Sequence, residues 1–282
     1  MKKVISFSLW GDNPVYTIGA LLNADKAEEE WKDWICRYYV APTVPAGIIE
    51  ELNSRENVEL IHMDEDQSWN GMFWRFFPAS DPTVDVAIFR DSDSVLHIRD
   101  KMAVDEWIRS NKGVHIMRDN CQHGFPICGG MWGTKKDAIP ELKELILGLH
   151  GFDIEEKNKH GVDQLFLRDK VYPLVMDNIY VHDEWFPALC PHEEKHPFPI
   201  PRLRGDGWWK REFPDWHCGL QLDKGDEHWF RNEECKHPEC CLPCPACGIL
   251  HDNEYIGKVY DMSKEDFDKY LHIATSEIKN EN

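Results

Sequence analysis

The sequence predicts an α/β domain with a mostly parallel sheet and flanking helices over residues 1–186, followed by a small Cys-rich C-terminal lobe. Short β-rich runs alternate with helical patterns as far as about residue 185, and one strand-like run, Val84 to Phe89, delivers two aspartates at its C-terminal end. Alternation of this kind packs helices against a parallel sheet. A change of composition after Trp185 sets the remainder apart.

Val4 to Trp10 reads as the first strand. Asn13-Pro14 is a helix-start signal, and Ile18, Leu21, Leu22 and Ala24 follow at helical spacing within Tyr16 to Trp31. Trp34 to Val40 is a second strand, Pro45 to Asn53 a helix, Val58 to Met63 a strand, and Met72 to Phe77 an aromatic helix or turn. After the strand Val84 to Phe89, the rhythm continues through Val104 to Ile108, Val114 to Met117, a helix around Leu142 to Leu149, a helix over Val162 to Arg168 and a strand over Ile179 to His182.

Residues 187–201 hold Pro187, Pro191, Pro197, Pro199 and Pro201, which forbids helix and predicts an extended connector. Residues 202–262 are rich in Trp, Cys, Gly and charge with little periodicity. In the last segment, 263–282, a Ser263-Lys264-Glu265-Asp266 capping box opens a helix with Phe267, Tyr270, Leu271 and Ala274 as its apolar stripe.

The charge excludes one large class of function. Against 51 Asp+Glu stand 32 Lys+Arg, a formal net charge of −19, whereas nucleic-acid binding needs a basic surplus to displace counterions. No run approaches the roughly 20 apolar residues of a membrane span. The apolar start is short, interrupted by Ser6 and Ser8, and followed by Gly11-Asp12-Asn13-Pro14 instead of a cleavage site, so the expectation is a soluble cytoplasmic protein without a signal peptide.

The chemistry-bearing stretch is Phe89-Arg90-Asp91-Ser92-Asp93-Ser94. Open α/β sheets bind ligands at the C-terminal ends of their strands, and two carboxylates one residue apart can hold Mn²⁺ or Mg²⁺ while leaving positions for a diphosphate and water. Asp-x-Asp occurs three times, at Asp64/Asp66, Asp91/Asp93 and Asp266/Asp268, so placement discriminates. Asp64/Asp66 lies in an acidic loop, and Asp266/Asp268 on the terminal helix reads as surface charge.

The order of Val4 to Trp10, Asn13-Pro14-x-Tyr16, Met72-Phe73-Trp74-Arg75-Phe76-Phe77-Pro78-Ala79-Ser80-Asp81 and Phe89 to Ser94 resembles GT-A-type glycosyltransferases over roughly residues 1–185. It is most similar to small enzymes of large DNA viruses, including those decorating chlorovirus capsid glycans, and to bacterial relatives. The resemblance implies a Rossmann-like half holding a nucleotide-sugar, with Asp91, Ser92 and Asp93 at its diphosphate and Asp91 and Asp93 on Mn²⁺ or Mg²⁺. It further implies that Ser8, Leu9, Trp10 and Tyr16 face the nucleoside and that Arg75 serves the donor phosphates or sugar. By the same resemblance, Asp163 in His160-Gly161-Val162-Asp163-Gln164 is the candidate general base for an acceptor hydroxyl. His182, ending a late strand, is the candidate third metal ligand.

Each reading has a plainer counterpart. Asp163 could simply complement its helix dipole, and His182 could be a structural histidine. Gly129-Gly130-Met131-Trp132-Gly133 is either a glycine-rich turn whose indole stacks on a sugar or a tight turn packing a core tryptophan. Arg90 and Arg118 either add positive charge at the donor or form ion pairs at the sheet edge.

In the lobe, Cys244-Pro245-Ala246-Cys247-Gly248 is a zinc-knuckle spacing that Cys235 with Cys240 or Cys241 could complete, giving a structural Zn²⁺ at Cys235, Cys240, Cys244 and Cys247. His237, His251 and His217-Cys218 are alternative ligands, and a set of reduced cysteines is the plainer reading. Trp208, Trp209, Trp216 and Trp229 form either the lobe's core or a glycan platform. With these residues, the resemblance implies a metal-dependent GT-A glycosyltransferase moving a sugar from a nucleotide-diphosphate donor, UDP before GDP, to a carbohydrate hydroxyl. The rivals are a nucleotidyltransferase, which would need a basic glycine-rich loop where Trp10-Gly11-Asp12-Asn13-Pro14 stands, and a non-catalytic adaptor working through the zinc lobe.

Overall fold

The computed structural model describes residues 1–64, 69–94, 96, 98–120, 123–148, 161–186, 188–200 and 218. Its elements are β1 (Lys3–Leu9), α1 (Pro14–Glu30), β2 (Trp34–Val40), α2 (Ala46–Asn53), β3 (Val58–His62), an aromatic 3-10 helix (Trp69–Ser80) and β4 (Val86–Phe89). There follow α3 (Ile98–Arg109), β5 (Val114–Arg118), β6 (Trp132–Lys135), α4 (Leu142–Leu147) and α5 (Val162–Phe166). A π-turn (Leu167–Val171) leads into α6 (Tyr172–Val175), β7 (Ile179–Asp183) and β8 (Lys195–His196). The cysteine cluster, the tryptophans at 208, 209, 216 and 229, Asp66, Asp266/Asp268 and the C-terminal helix lie outside the described residues.

The first strands are legible because they are covered on both sides. From Val4 to Leu9 every residue is buried, the continuous apolar pattern of a parallel strand between two helix layers. Helix α1 starts where Asn13 O accepts the amides of Tyr16 and Thr17, with Pro14 at the first helical position, where its missing N–H costs nothing. Its return into β2 turns through Asp33 at φ 71°, a conformation aspartate tolerates, and Trp31 meets Trp34 edge to face at 5.4 Å.

The eight strands are ordered β3-β2-β1-β4-β6-β5-β7-β8. The chain moves outward from β1 to β3, then crosses to β4 on the other flank of β1, so the C-terminal ends of β1 and β4 form a topological switch point. β6 alone among the described strands runs against both of its neighbours, β4 and β5. This mostly parallel, helix-flanked sheet fits the α/β GT-A-type architecture that the sequence predicts.

Side-chain alternation divides the core in two. One face carries Val4, Ala87, Phe89, Trp132, Ile116 and Val181 beneath Phe73 and Phe76 of the 3-10 helix. The other carries Ile5, Phe7, Leu9, Val86 and Ile88 against Ala20, Ala24, Leu52, Val104 and Trp107 of α1, α2 and α3.

At several positions the structure decides between the readings that the sequence leaves open. Trp132 is no exposed sugar platform: it opens β6, fully buried, with its ring 4.4 Å from Phe89 and 5.3 Å from Phe76. Gly133 lies inside that strand, where a Cβ would approach Ala87 O to 2.7 Å. Arg90 is buried, bonded to both oxygens of Asp100 at 2.7 and 2.8 Å and to the carbonyls of Phe89 and Trp132. Arg118 is equally spent on Asp183, Glu193 and the carbonyls of Phe125 and Pro126. Both arginines pin the sheet's ends and are withheld from any donor. Within the proline-rich connector, β8 adds a short parallel strand to β7.

Candidate active site

At the switch point β4 ends on Phe89, and Arg90 N still donates to Ser6 O at 3.1 Å, extending the pairing with β1. The chain then turns, with Ser94 N donating to Asp91 O at 3.1 Å. This turn carries both aspartates: the Asp91 side chain is 39% exposed, whereas Asp93 is buried. Asn23 of α1 reaches the turn from below. Its Nδ2 donates to Ser92 O (3.2 Å) and Ser94 O (2.9 Å), and Leu96 N donates to its Oδ1 (2.9 Å).

From the opposite face comes Arg75, in the 3-10 helix. Its backbone N–H donates to Ser8 Oγ at 3.0 Å, fixing that segment to the end of β1. Its guanidinium lies over the Phe76 ring at 5.1 Å and forks between two carboxylates: Nη1 donates to Asp91 Oδ1, and Nη2 to Asp163 Oδ2 at 2.6 Å. Such charge-assisted pairs are the strong hydrogen bonds of proteins. Among the described residues the buried Arg75 Nε has no hydrogen-bond partner. Burial opposes the charge on Arg75, but Asp91 and Asp163, with Asp93 behind them, outweigh it and raise its pKa above the ordinary arginine value.

Asp163 stands in the first turn of α5, which Gly161 enters at φ 85°, and its side chain is almost wholly enclosed. Gly129 and Gly130, just before β6, close the site from the side. A Cβ at Gly129 would fall 2.1 Å from Asp163 Oδ2, and one at Gly130 would fall 2.0 Å from Asp91 Oδ2. The diglycine therefore makes room for two carboxylates against the backbone.

Asp91, Asp93, Asp163 and Arg75, predicted from three separate segments, are thus gathered at the C-terminal edge of the sheet. The other predicted residues are placed differently. Ser8 faces the site through Arg75, and Ser92 is buried, its carbonyl held by Asn23. Leu9 packs into the core between the sheet and the helices α1, α2 and α3, so its side chain is not a nucleoside contact. Trp10 is half-buried beside Trp74, at 6.5 Å between centroids, and Tyr16 is exposed on α1.

His182 is not brought to the carboxylates. It lies three strands from β4, and its ring meets His115, Tyr180, His196 and Phe198. Its Nδ1 pairs with His115 Nε2 at 2.8 Å, and His115 stacks on Trp107 of α3, which places the pair on the face opposite Phe76 and Arg75. Burial, with His196 and Arg99 nearby, pushes the His182 pKa down to about 3.

Three carboxylates against one guanidinium leave a formal surplus of two negative charges, which a divalent cation would match. Among the described residues no three His, Cys, Asp or Glu side chains are grouped to enclose a metal ion. Asp91 and Asp93 are the side chains that could hold such a cation here. The sequence does not single out Asn23 as a site residue, whereas it does single out the Gly129-Gly130 turn, for a sugar and not for the two carboxylates that the turn receives. The signal for Asn23 was an amide on the same helix stripe as Ala20, Ala24 and Ala27.

No protein-family model matches the chain, and no curated protein matches it. Solved structures similar to it include GT-A-type glycosyltransferases. One is a glycosyltransferase involved in glycosylation of the major capsid of PBCV-1, at 15% identity and TM-score 0.45, covering 66% of this chain and 83% of that one. A second is a mannosyltransferase from Pyrobaculum calidifontis in complex with GDP-Man and Mn²⁺, at 12% identity and TM-score 0.39, covering 64% and 53%. TarS 1–349 of S. aureus in complex with UDP matches at 13% identity and TM-score 0.45, covering 64% and 57%. The chain thus spans little more than half the length of the latter two. What the site can do follows from its own side chains.

Proposed function

We propose that this chain is a GT-A-type glycosyltransferase that moves a sugar from a nucleotide-diphosphate donor to a carbohydrate hydroxyl, with a divalent cation at Asp91 and Asp93. The observation that carries the proposal is the Arg75 fork between Asp91 and Asp163 at the switch point, beside a turn with two aspartates.

A bound Mn²⁺ or Mg²⁺ would neutralise charge on the departing nucleoside diphosphate. The chain's own groups supply the rest. Asp91 and Asp93 would hold the cation, which would favour a diphosphate at the open end of β4. Arg75, whose cationic form the carboxylates favour, orients Asp163 and offers its buried Nε and its Nη groups as preorganised donors beside the reaction. Asp163, as general base, accepts the proton of the acceptor hydroxyl as its oxygen attacks the sugar. Trp10 and Tyr16 border the approach from the β1 side.

The test is a thermal-shift panel of UDP, GDP and their sugar conjugates, with and without Mn²⁺. Ligand at a hundred times its Kd adds about 2.7 kcal/mol to the folded state. The proposal expects a shift that needs both a nucleotide and the metal and that is lost in Asp91→Asn/Asp93→Asn. Absence of a shift with every nucleotide, or an undiminished shift in the double variant, refutes it.

A further inference from the structure

We infer that Asn23 is a positioning residue for the cation site: from inside α1 its side-chain amide clamps the backbone on both sides of Asp93. The inference rests on the reading that Asp91 and Asp93 hold a divalent cation.

An asparagine in mid-helix is a poorer helix former than alanine, and an amide removed from water costs free energy unless its hydrogen bonds are restored. Asn23 is 1% exposed, on a stripe otherwise made of Ala20, Ala24 and Ala27. Its three hydrogen bonds all go to one short stretch of a different segment. Both Nδ2 protons are used, on Ser92 O and Ser94 O, the carbonyls immediately before and after Asp93, and Oδ1 takes Leu96 N. The turn's own bond from Ser94 N to Asp91 O, and that from Arg90 N to Ser6 O, fix its start. The backbone carrying both carboxylates is therefore held from β1 and from α1 at once, through groups other than the carboxylate oxygens.

A site completed by substrate oxygens depends on where its few protein oxygens stand, and partners that orient metal ligands commonly govern affinity by 10–100-fold. A helix-to-loop staple with no bearing on the site would instead lower stability and leave affinity unchanged. The two roles separate in one experiment on the full chain.

Mn²⁺ binding is titrated calorimetrically in the presence of UDP for wild type, Asn23→Leu, Asn23→Asp, Asp91→Asn/Asp93→Asn and Leu52→Ala. Leu52, buried in α2 against the same core, supplies a destabilised control. The expected result is a Mn²⁺ Kd raised about 10-fold or more in Asn23→Leu, with Leu52→Ala at the wild-type value. Should the leucine variant fail to fold, Asn23→Asp, which keeps the volume and an acceptor for Leu96 N, is expected to show the same loss. Wild-type affinity in the folded Asn23 variants, or an equal loss in Leu52→Ala, overturns the inference alone. Wild-type affinity in the double aspartate variant overturns the metal-site reading and the inference with it.

Discussion

Gly129→Ala should damage the protein although the glycine sits at no unusual φ. The added Cβ would lie 2.1 Å from Asp163 Oδ2 and 2.6 Å from Arg75 Nη2, roughly 1 Å inside the ordinary carbon–oxygen contact of about 3.3 Å. Asp163 is short and buried, and its oxygen already holds Arg75 at 2.6 Å, so relief must come from parting that pair or moving the backbone. Overpacking costs about 1–3 kcal/mol and breaking a buried ion pair about 3–5 kcal/mol. Partial relaxation leads us to expect a loss of about 2–4 kcal/mol by urea unfolding. Gly47→Ala, where a Cβ meets nothing within 4 Å, should be neutral or slightly stabilising. Because the severest overlap is with Asp163, Gly129→Ala/Asp163→Ala should be more stable than the sum of its parts by about 1 kcal/mol or more. A Gly129→Ala variant within about 0.5 kcal/mol of wild type, or strict additivity in the double variant, would refute the reasoning.

Acid should weaken the fold through the buried histidines. Burial holds His182 down to about 3 and His115 well below the ordinary histidine value, so their contribution is complete above the unfolded pKa near 6.5 and is lost as pH falls from there toward 3. Between pH 7 and pH 5 His182 alone accounts for about 2 kcal/mol; urea midpoints at the two values check this, and His182→Leu should flatten the difference. Arg90→Met should cost about 3–5 kcal/mol by stranding Asp100, whose side chain is 2% exposed. Arg90→Met/Asp100→Leu should recover most of that loss in the same unfolding assay.

Strands with both faces covered announced themselves: Val4 to Leu9 and Trp34 to Val40 are mostly apolar and rich in β-branched and aromatic residues, and the sequence boundaries agree with the structure to within a residue. β6 did not, because Trp132-Gly133-Thr134-Lys135 carries the marks of a turn. Its glycine reflects crowding against β4, which only the pairing reveals. The carboxylates Asp91 and Asp93 were legible because position after a strand is itself a physical signal. Arg75 was named only through the resemblance to GT-A-type enzymes. Asn23 was not legible, since a polar side chain on a helix ordinarily faces water and its partners lie some seventy residues away. His182 illustrates the converse: its place at a strand end was read correctly, but the strand's rank in the sheet and its facing cannot be read from one chain.

Arg37, Arg75, Arg90, Arg99 and Arg118 are all 6% exposed or less, each locked to carboxylates of the same chain. Cations so enclosed cancel carboxylates of their own chain and present no positive patch to solvent. A dianionic solute diffusing toward this molecule meets, once within about a Debye length of ~8 Å, the potential of a body of charge −19, of its own sign. Encounter is therefore retarded instead of steered, and dissolved salt, or a divalent ion travelling with the diphosphate, quickens arrival by lowering that barrier.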